Sequence, residues 1–205
     1  MARQSRPFGG ATSPARDLAL IAVFAAFIAV LGLPGAVAPF GNAVPITLQT
    51  FGVMLAASLL GARRAGLSVL LFLVLVAAGL PLLAGGRGGL AVFVGPSAGY
   101  LLGWLVGAVV TGYLMEHGPA RLSATWCAAA NVIGCVVVVY AIGVPVQALV
   151  TGTSLGVAAA TSLAFVPGDL IKVALTTIVT TGVHRALPGV LPTSRPSRPR
   201  ANAVR

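Results

Sequence analysis

Negative charge is almost missing from this chain: three acidic residues stand among 205, against thirteen lysines and arginines. Charged residues of both signs make up only 8%, where a soluble domain carries roughly 25%. That is too few to cover a water-facing surface. With 58% hydrophobic residues and a mean hydropathy of +1.00, the apolar side chains must face something other than water, and a bilayer is the obvious candidate. No phosphate-binding Gly-x4-Gly-Lys-Ser/Thr loop occurs, so this chain carries no ATPase of that kind. The two cysteines, Cys127 and Cys135, share one apolar stretch without further metal ligands nearby, and read as small buried hydrophobes.

Positive charge is present, with a net +10. Nucleic-acid binding does not follow from it, because no basic face with interleaved aromatics exists. The arginines sit in short clusters between long uncharged stretches, and that is a topology signal. About 20 apolar helical residues cross the roughly 30 Å hydrocarbon core. Six such stretches are expected: Asp17–Leu33, a short Ile46–Leu60, Ala65–Leu83, Pro96–Met115, Leu122–Val144, and a sixth between Leu155 and Val183 interrupted at Pro167-Gly168. With the N-terminus inside, the cytoplasmic segments hold Arg3, Arg6, Arg16, Arg63, Arg64, Arg121, Arg185, Arg195, Arg198, Arg200 and Arg205. The positive-inside rule therefore favours six spans with both termini cytoplasmic. Residues 1–16 form an expected N-terminal cytoplasmic segment, 17–187 the membrane domain, and 188–205 a disordered basic tail rich in Pro, Ser and Arg. Ala36-Val37-Ala38 loosely resembles a signal cleavage site, but Pro39 and the later spans favour a retained first helix.

Pro167-Gly168-Asp169-Leu170-Ile171-Lys172 is the most informative stretch. Ionisable groups inside a span are expensive and mark function by default. Asp169 and Lys172 lie three apart, on one helical face, either as a structural ion pair or as part of a substrate pocket. Asp169 is 16 residues from Arg185, roughly 24 Å along a helix, which places it toward the outer side. Pro167 and Gly168 are expected to break the helix there. Gly85-Gly86-Arg87-Gly88-Gly89 reads as an outer loop whose arginine either faces solvent or pairs with an anionic ligand. Gly95-Pro96-Ser97-Ala98-Gly99 matches the nucleophile-elbow pattern, yet His117 and His184 lie at the opposite membrane face, so a hydrolase is disfavoured. Small pairs, Ala22 with Ala26 and Gly103 with Gly107, have the spacing of close helix contacts in lipid.

Three stretches together carry a resemblance: Val44-Pro45-Ile46-Thr47-Leu48-Gln49-Thr50, then Ala84 to Tyr100 (AGGRGGLAVFVGPSAGY), then Phe165 to Lys172 (FVPGDLIK). In this order and spacing the chain resembles the BioY family, the biotin-specific substrate-binding (S) components of energy-coupling-factor transporters. The resemblance implies an all-α, six-helix membrane fold that binds biotin from outside. It also implies association with a transmembrane coupling protein (the T component) and two cytoplasmic ATPases. Carried over position by position, Asp169 and Lys172 contact the ligand, Thr47 and Gln49 belong to the loop that closes over it, and Arg87 and Tyr100 line the site. Ala22 and Ala26 match the A-x-x-x-A face that such proteins present to the coupling protein. Some members have Asn at the position of Arg87, and some have Arg at that of Leu101. The partner of the biotin carboxylate, Arg87 or Lys172, stays open, as do an S component for another vitamin and a stand-alone secondary transporter. No cofactor or metal is expected.

Overall fold

The computed structural model describes residues 13–35, 44–119 and 122–187. Within them lie six helices: α1 (Pro14–Val30), α2 (Gln49–Leu60), α3 (Ala62–Ala77), α4 (Ala98–Glu116), α5 (Ala124–Thr151) and α6 (Leu155–Ala186). The last three are long and apolar enough to cross a membrane, while α2 is a 12-residue helix, about 18 Å in length at 1.5 Å per residue. Leu149 is 82% exposed, Leu18 68% and Ile178 67%, so large apolar side chains point outward. This is a multi-pass membrane protein with lipid as its outer solvent. The expectations for the tail, for Arg3, Arg6 and Arg121, and for Ala36–Ala38 fall outside the described residues.

Several boundaries differ from the hydropathy reading, each for a local reason. Helix α1 starts at Pro14, inside the expected N-terminal segment, because Ser13 caps it by accepting from the Arg16 N–H. Helix α3 ends at Ala77 rather than Leu83, since Gly79 turns the chain at φ +102° and Pro81 follows. Residues 78–97 then fold back as a cap on the bundle, with Leu83 and Arg87 forming an isolated antiparallel bridge. Helix α5 continues through Pro145 to Thr151 and stops at Gly152 in the left-handed conformation, where glycine carries no Cβ penalty. Between Val132 and Val138 it adopts π-helical geometry. In α6 the irregularity is a 3-10 turn at Leu163–Phe165, one step before the expected break. From Val166 to Ala186 the helix is unbroken, with Pro167 in its first turn. Pro167 cannot donate to the Leu163 carbonyl and its ring crowds that group, so the interruption expected at Pro167-Gly168 falls in the turn just before them.

Glycines set the distance between α4 and α5. Gly99, Gly103 and Gly107 recur every four residues on one face of α4. A Cβ on Gly103 would stand 3.0 Å from Val139 Cα, and one on Gly107 2.5 Å from the Gly134 carbonyl oxygen. Packing within the chain thus accounts for Gly103 and Gly107, whereas Ala22 and Ala26 are exposed on α1. Cys127 and Cys135 are buried free thiols, as expected.

The two ends of the bundle differ in character. At one end Asp17 pairs with Arg64 at 2.9 Å, and Glu116 Oε1 accepts from the Ala62 N–H at 2.9 Å. These residues come from segments that the charge pattern assigns to the cytoplasmic side. Residues 44–48 and the 78–97 cap occupy the other end.

Gly134 is the most constrained point of the seam, because its Cβ would lie 2.0 Å from Thr111 Oγ1 and 2.7 Å from the Gly107 oxygen. Gly134→Val is expected to lose about 1–3 kcal/mol or more through overpacking, read as a lowered thermal midpoint in detergent. An unchanged midpoint would mean that the α4–α5 approach is looser than these distances.

Candidate functional site

The first turns of the Val166–Ala186 segment bring Asp169 and Lys172 onto one buried face, each 5% exposed. Lys172 Nζ donates to Asp169 Oδ1 at 3.0 Å, and the Tyr140 hydroxyl donates to Oδ2 at 2.5 Å. Both carboxylate oxygens are therefore engaged, which makes a buried charge pair tolerable. Tyr140 comes from α5, so the site joins the two longest helices.

An aromatic wall stands beside this pair. The Tyr100 ring packs edge-to-face on Tyr140 at 6.3 Å and on Phe165 at 6.0 Å. The Tyr100 hydroxyl is within 2.7 Å of both Gln147 Oε1 and Ser162 Oγ. Its polar tip is thus anchored in α5 and α6, and its ring is what it offers to the adjoining cavity.

That cavity is narrow and partly open at its mouth. Val44 to Thr47 line one side, Leu83 and Arg87 come from the cap, and Ser97, Tyr100 and Trp104 from the start of α4. Cys135, Tyr140, Phe165, Asp169 and Lys172 complete it. All six residues expected from the sequence, Thr47, Gln49, Arg87, Tyr100, Asp169 and Lys172, reach this one cavity.

Their roles within it differ. Gln49 is fully buried, and its side chain is spent on the backbone. Its Nε2 donates to Ile28 O at 3.2 Å and Leu82 O at 3.0 Å, while Oε1 accepts from the Ala84 N–H at 3.1 Å. Gln49 therefore pins the cap to α1 and α2. Thr47 Oγ1 accepts from the Gln49 N–H at 3.3 Å. Arg87 Nε donates to Ala84 O at 3.3 Å, which aims the guanidinium from the cap that Gln49 holds.

Tyr140 escaped the sequence reading. Its only signal is a hydroxyl-bearing ring in the middle of an apolar span, one of three tyrosines in the chain. Ser97 was singled out for a different chemistry. It lines the cavity, but His117 stacks on Tyr113 near the far end of α4, 20 residues or roughly 30 Å away along a helix. No group of three metal-ligating side chains occurs among the described residues. The arrangement suits binding: an apolar body against the rings, hydrogen-bonding groups at the Asp169–Lys172 pair, and negative charge near Arg87 or Lys172.

Replacing Gln49 by Ala would strand the Ala84 N–H and the Leu82 carbonyl, at a cost of about 1–3 kcal/mol for a buried unsatisfied group. Amide hydrogen exchange across residues 82–87 is expected to accelerate in Gln49→Ala while the rest of the bundle stays protected. Equal protection in parent and variant would remove Gln49 as the pin.

Known proteins place this geometry in a family. The chain is 51% identical over 162 residues to the biotin transporter BioY of Rhizobium etli, covering 77% of this chain and 87% of that protein. It is 44% identical over 185 residues to the biotin transporter BioY of Rhodobacter capsulatus, covering 86% and 97%. Among solved structures, the S-component for biotin from an ECF-type ABC transporter superposes with a TM-score of 0.80 at 30% identity, covering 85% of this chain and 95% of that one. The BioY family model matches residues 3–189, and the chain belongs to the BioY family.

Proposed function

We propose that this protein is the biotin-binding S component of an energy-coupling-factor uptake transporter in the plasma membrane, taking biotin from the outside. The carrying observation is the buried Asp169–Lys172 pair, held by Tyr140 at the base of an aromatic-walled cavity. Biotin offers urea N–H donors and a urea carbonyl at one end and a carboxylate at the other. Asp169 accepts from a urea N–H, and Lys172 or Arg87 donates to an oxygen. The Tyr100 face lies along the bicyclic ring. The close relation to biotin transporters supports this reading.

In this proposal the chain binds and its partners supply the energy: a transmembrane coupling protein and two cytoplasmic ATPases. Support comes from α1, where Ala22 and Ala26 lie exposed. Two alanines four apart let a neighbouring helix approach closely in lipid. Next to them, at the end away from the cavity, is a concavity lined by Leu18, Arg63, Arg64 and Glu116.

Titration calorimetry on the detergent-purified protein tests the ligand, with riboflavin as the control. Biotin is expected to bind and riboflavin not, while Asp169→Asn and Lys172→Ala weaken biotin at least about tenfold, equivalent to about 1.4 kcal/mol. Parent-like affinity in both variants would move the pocket elsewhere. Riboflavin binding would point to an S component for another vitamin. Ala22→Leu is expected to bind biotin normally but fail to co-purify with the coupling protein. Retained co-purification would sink the α1 contact, and uptake persisting in cells without coupling ATPases would favour a stand-alone transporter.

A further inference from the structure

The buried face of α6 stays polar well past the ligand pair. Asp169, Lys172, Thr176, Thr180 and His184 follow one another at three- and four-residue steps. All five fall within about 120° of the helix circumference at 100° per residue, over about 22 Å of rise. Helices α2 and α5 pack against this segment. Thr176 and Thr180 are fully buried and Thr177 is 8% exposed, yet none of their hydroxyls has an oxygen or nitrogen hydrogen-bond partner. On α5, Asn131 is fully buried too. Its Nδ2 donates to Ser58 Oγ of α2 at 2.8 Å, while its Oδ1 is unpartnered. Among the described residues, the one polar group that Thr177 and Thr180 reach is the Cys127 thiol, a weak hydrogen-bonding partner. At the far end, His184 Nδ1 is also buried without a partner.

Helical threonines usually return their hydroxyl to the carbonyl four residues back. Thr181, one position beyond this face, does so with Thr177 O at 2.7 Å. The inward-facing threonines do not. Two oxygens with no partner, on Thr176 and Asn131, and two hydroxyls that face only a thiol converge on one helix junction, more than a native interior usually leaves so poorly satisfied. No anionic group is among them, and the nearest charge along the stripe is the Lys172 ammonium, so a bound cation is disfavoured. The chemistry left is a neutral ligand that both donates and accepts, and that is water.

We propose that the α2–α5–α6 junction is an internal hydration site, in which water bound by Asn131, Thr176, Thr177 and Thr180 forms a polar track from Lys172 toward His184. Such a track solvates the charge pair from the side away from the cavity mouth. Lys172 and Asp169 then keep polar surroundings when a ligand covers the mouth. The track also re-pairs each hydroxyl whenever α6 shifts against its neighbours. This rests on the packing of α6 and not on the identity of the ligand.

Cys127 is a reporter inside the track. In the full chain carrying Cys135→Ala, Cys127 is the only thiol, and its S–H stretch is followed by infrared spectroscopy after transfer to D2O. Exchange of Cys127 to S–D is expected to be complete within the mixing time. Adding Thr176→Val and Thr180→Val, which keep the shape and remove the hydroxyls, is expected to slow that exchange at least tenfold. Should the double variant fail to fold, Thr180→Val alone gives the same comparison. A persistent S–H band in the folded Cys135→Ala protein would overturn the proposal, and so would equal exchange rates with and without the hydroxyls. Neither readout requires biotin, so failure here leaves the ligand assignment standing.

Discussion

Two opposite charges buried near the middle of α6 impose the main constraint on this structure. Asp169 and Lys172 are both almost without solvent, and an unpaired partner there would cost about 3–5 kcal/mol. Pairing alone uses one carboxylate oxygen. The second is taken by Tyr140, which requires α5 to pass within hydrogen-bonding distance of α6. Tyr100 and Phe165 pack against the Tyr140 ring, so α4 is drawn in as well. The charge pair thus fixes three helices relative to one another.

That approach is possible because α4 has no side chains where it meets α5. Gly99, Gly103 and Gly107 let the backbones come close, and lipid supplies no hydrophobic force to do it otherwise. The π segment of α5 begins where the seam is tightest. Thr111 Oγ1 donates to the Ala130 carbonyl at 3.2 Å just before it, a contact that a regular helix would reserve for its own backbone. Irregular geometry in α5 and glycine spacing in α4 are two sides of one packing solution. Its product is the wall on which the Tyr100 and Tyr140 rings stand.

The number and order of helices were legible in the sequence, because apolar stretches and arginine clusters alternate under a constraint that lipid imposes on every backbone. Boundaries were less legible. Hydropathy counts Ala78 to Leu83 as membrane, while the backbone obeys Gly79 and Pro81. It stops at Pro145, although neighbouring turns keep the helix going to Gly152. A charge standing out against apolar surroundings singled out Asp169 and Lys172, and the fold sets both against one cavity. Gln49 lines the same cavity but spends its amide on Ile28, Leu82 and Ala84. Tyr140 lay hidden because a tyrosine in a span passes for a hydrophobe. The inward threonines of α6 were missed for the same reason.

Floor and mouth of the cavity are held by different physics. The floor stands on interhelical packing and on a fully engaged carboxylate, both of which are lost only if helices separate. The mouth is made of residues 44–47 and the 78–97 cap, which is held to α1, α2 and α3 by three hydrogen bonds of Gln49, by the Gly89 N–H on the Val76 carbonyl and by the buried Leu83 and Ala84. Regions held by few buried contacts open at lower free energy than packed helices. Arg87 belongs to the mouth and Lys172 to the floor. A ligand carboxylate held by Arg87 would tie the ligand to the part that gives way first, whereas one held by Lys172 would tie it to the part that does not. The two possible partners of that carboxylate therefore differ in whether cap opening itself weakens the grip on the ligand.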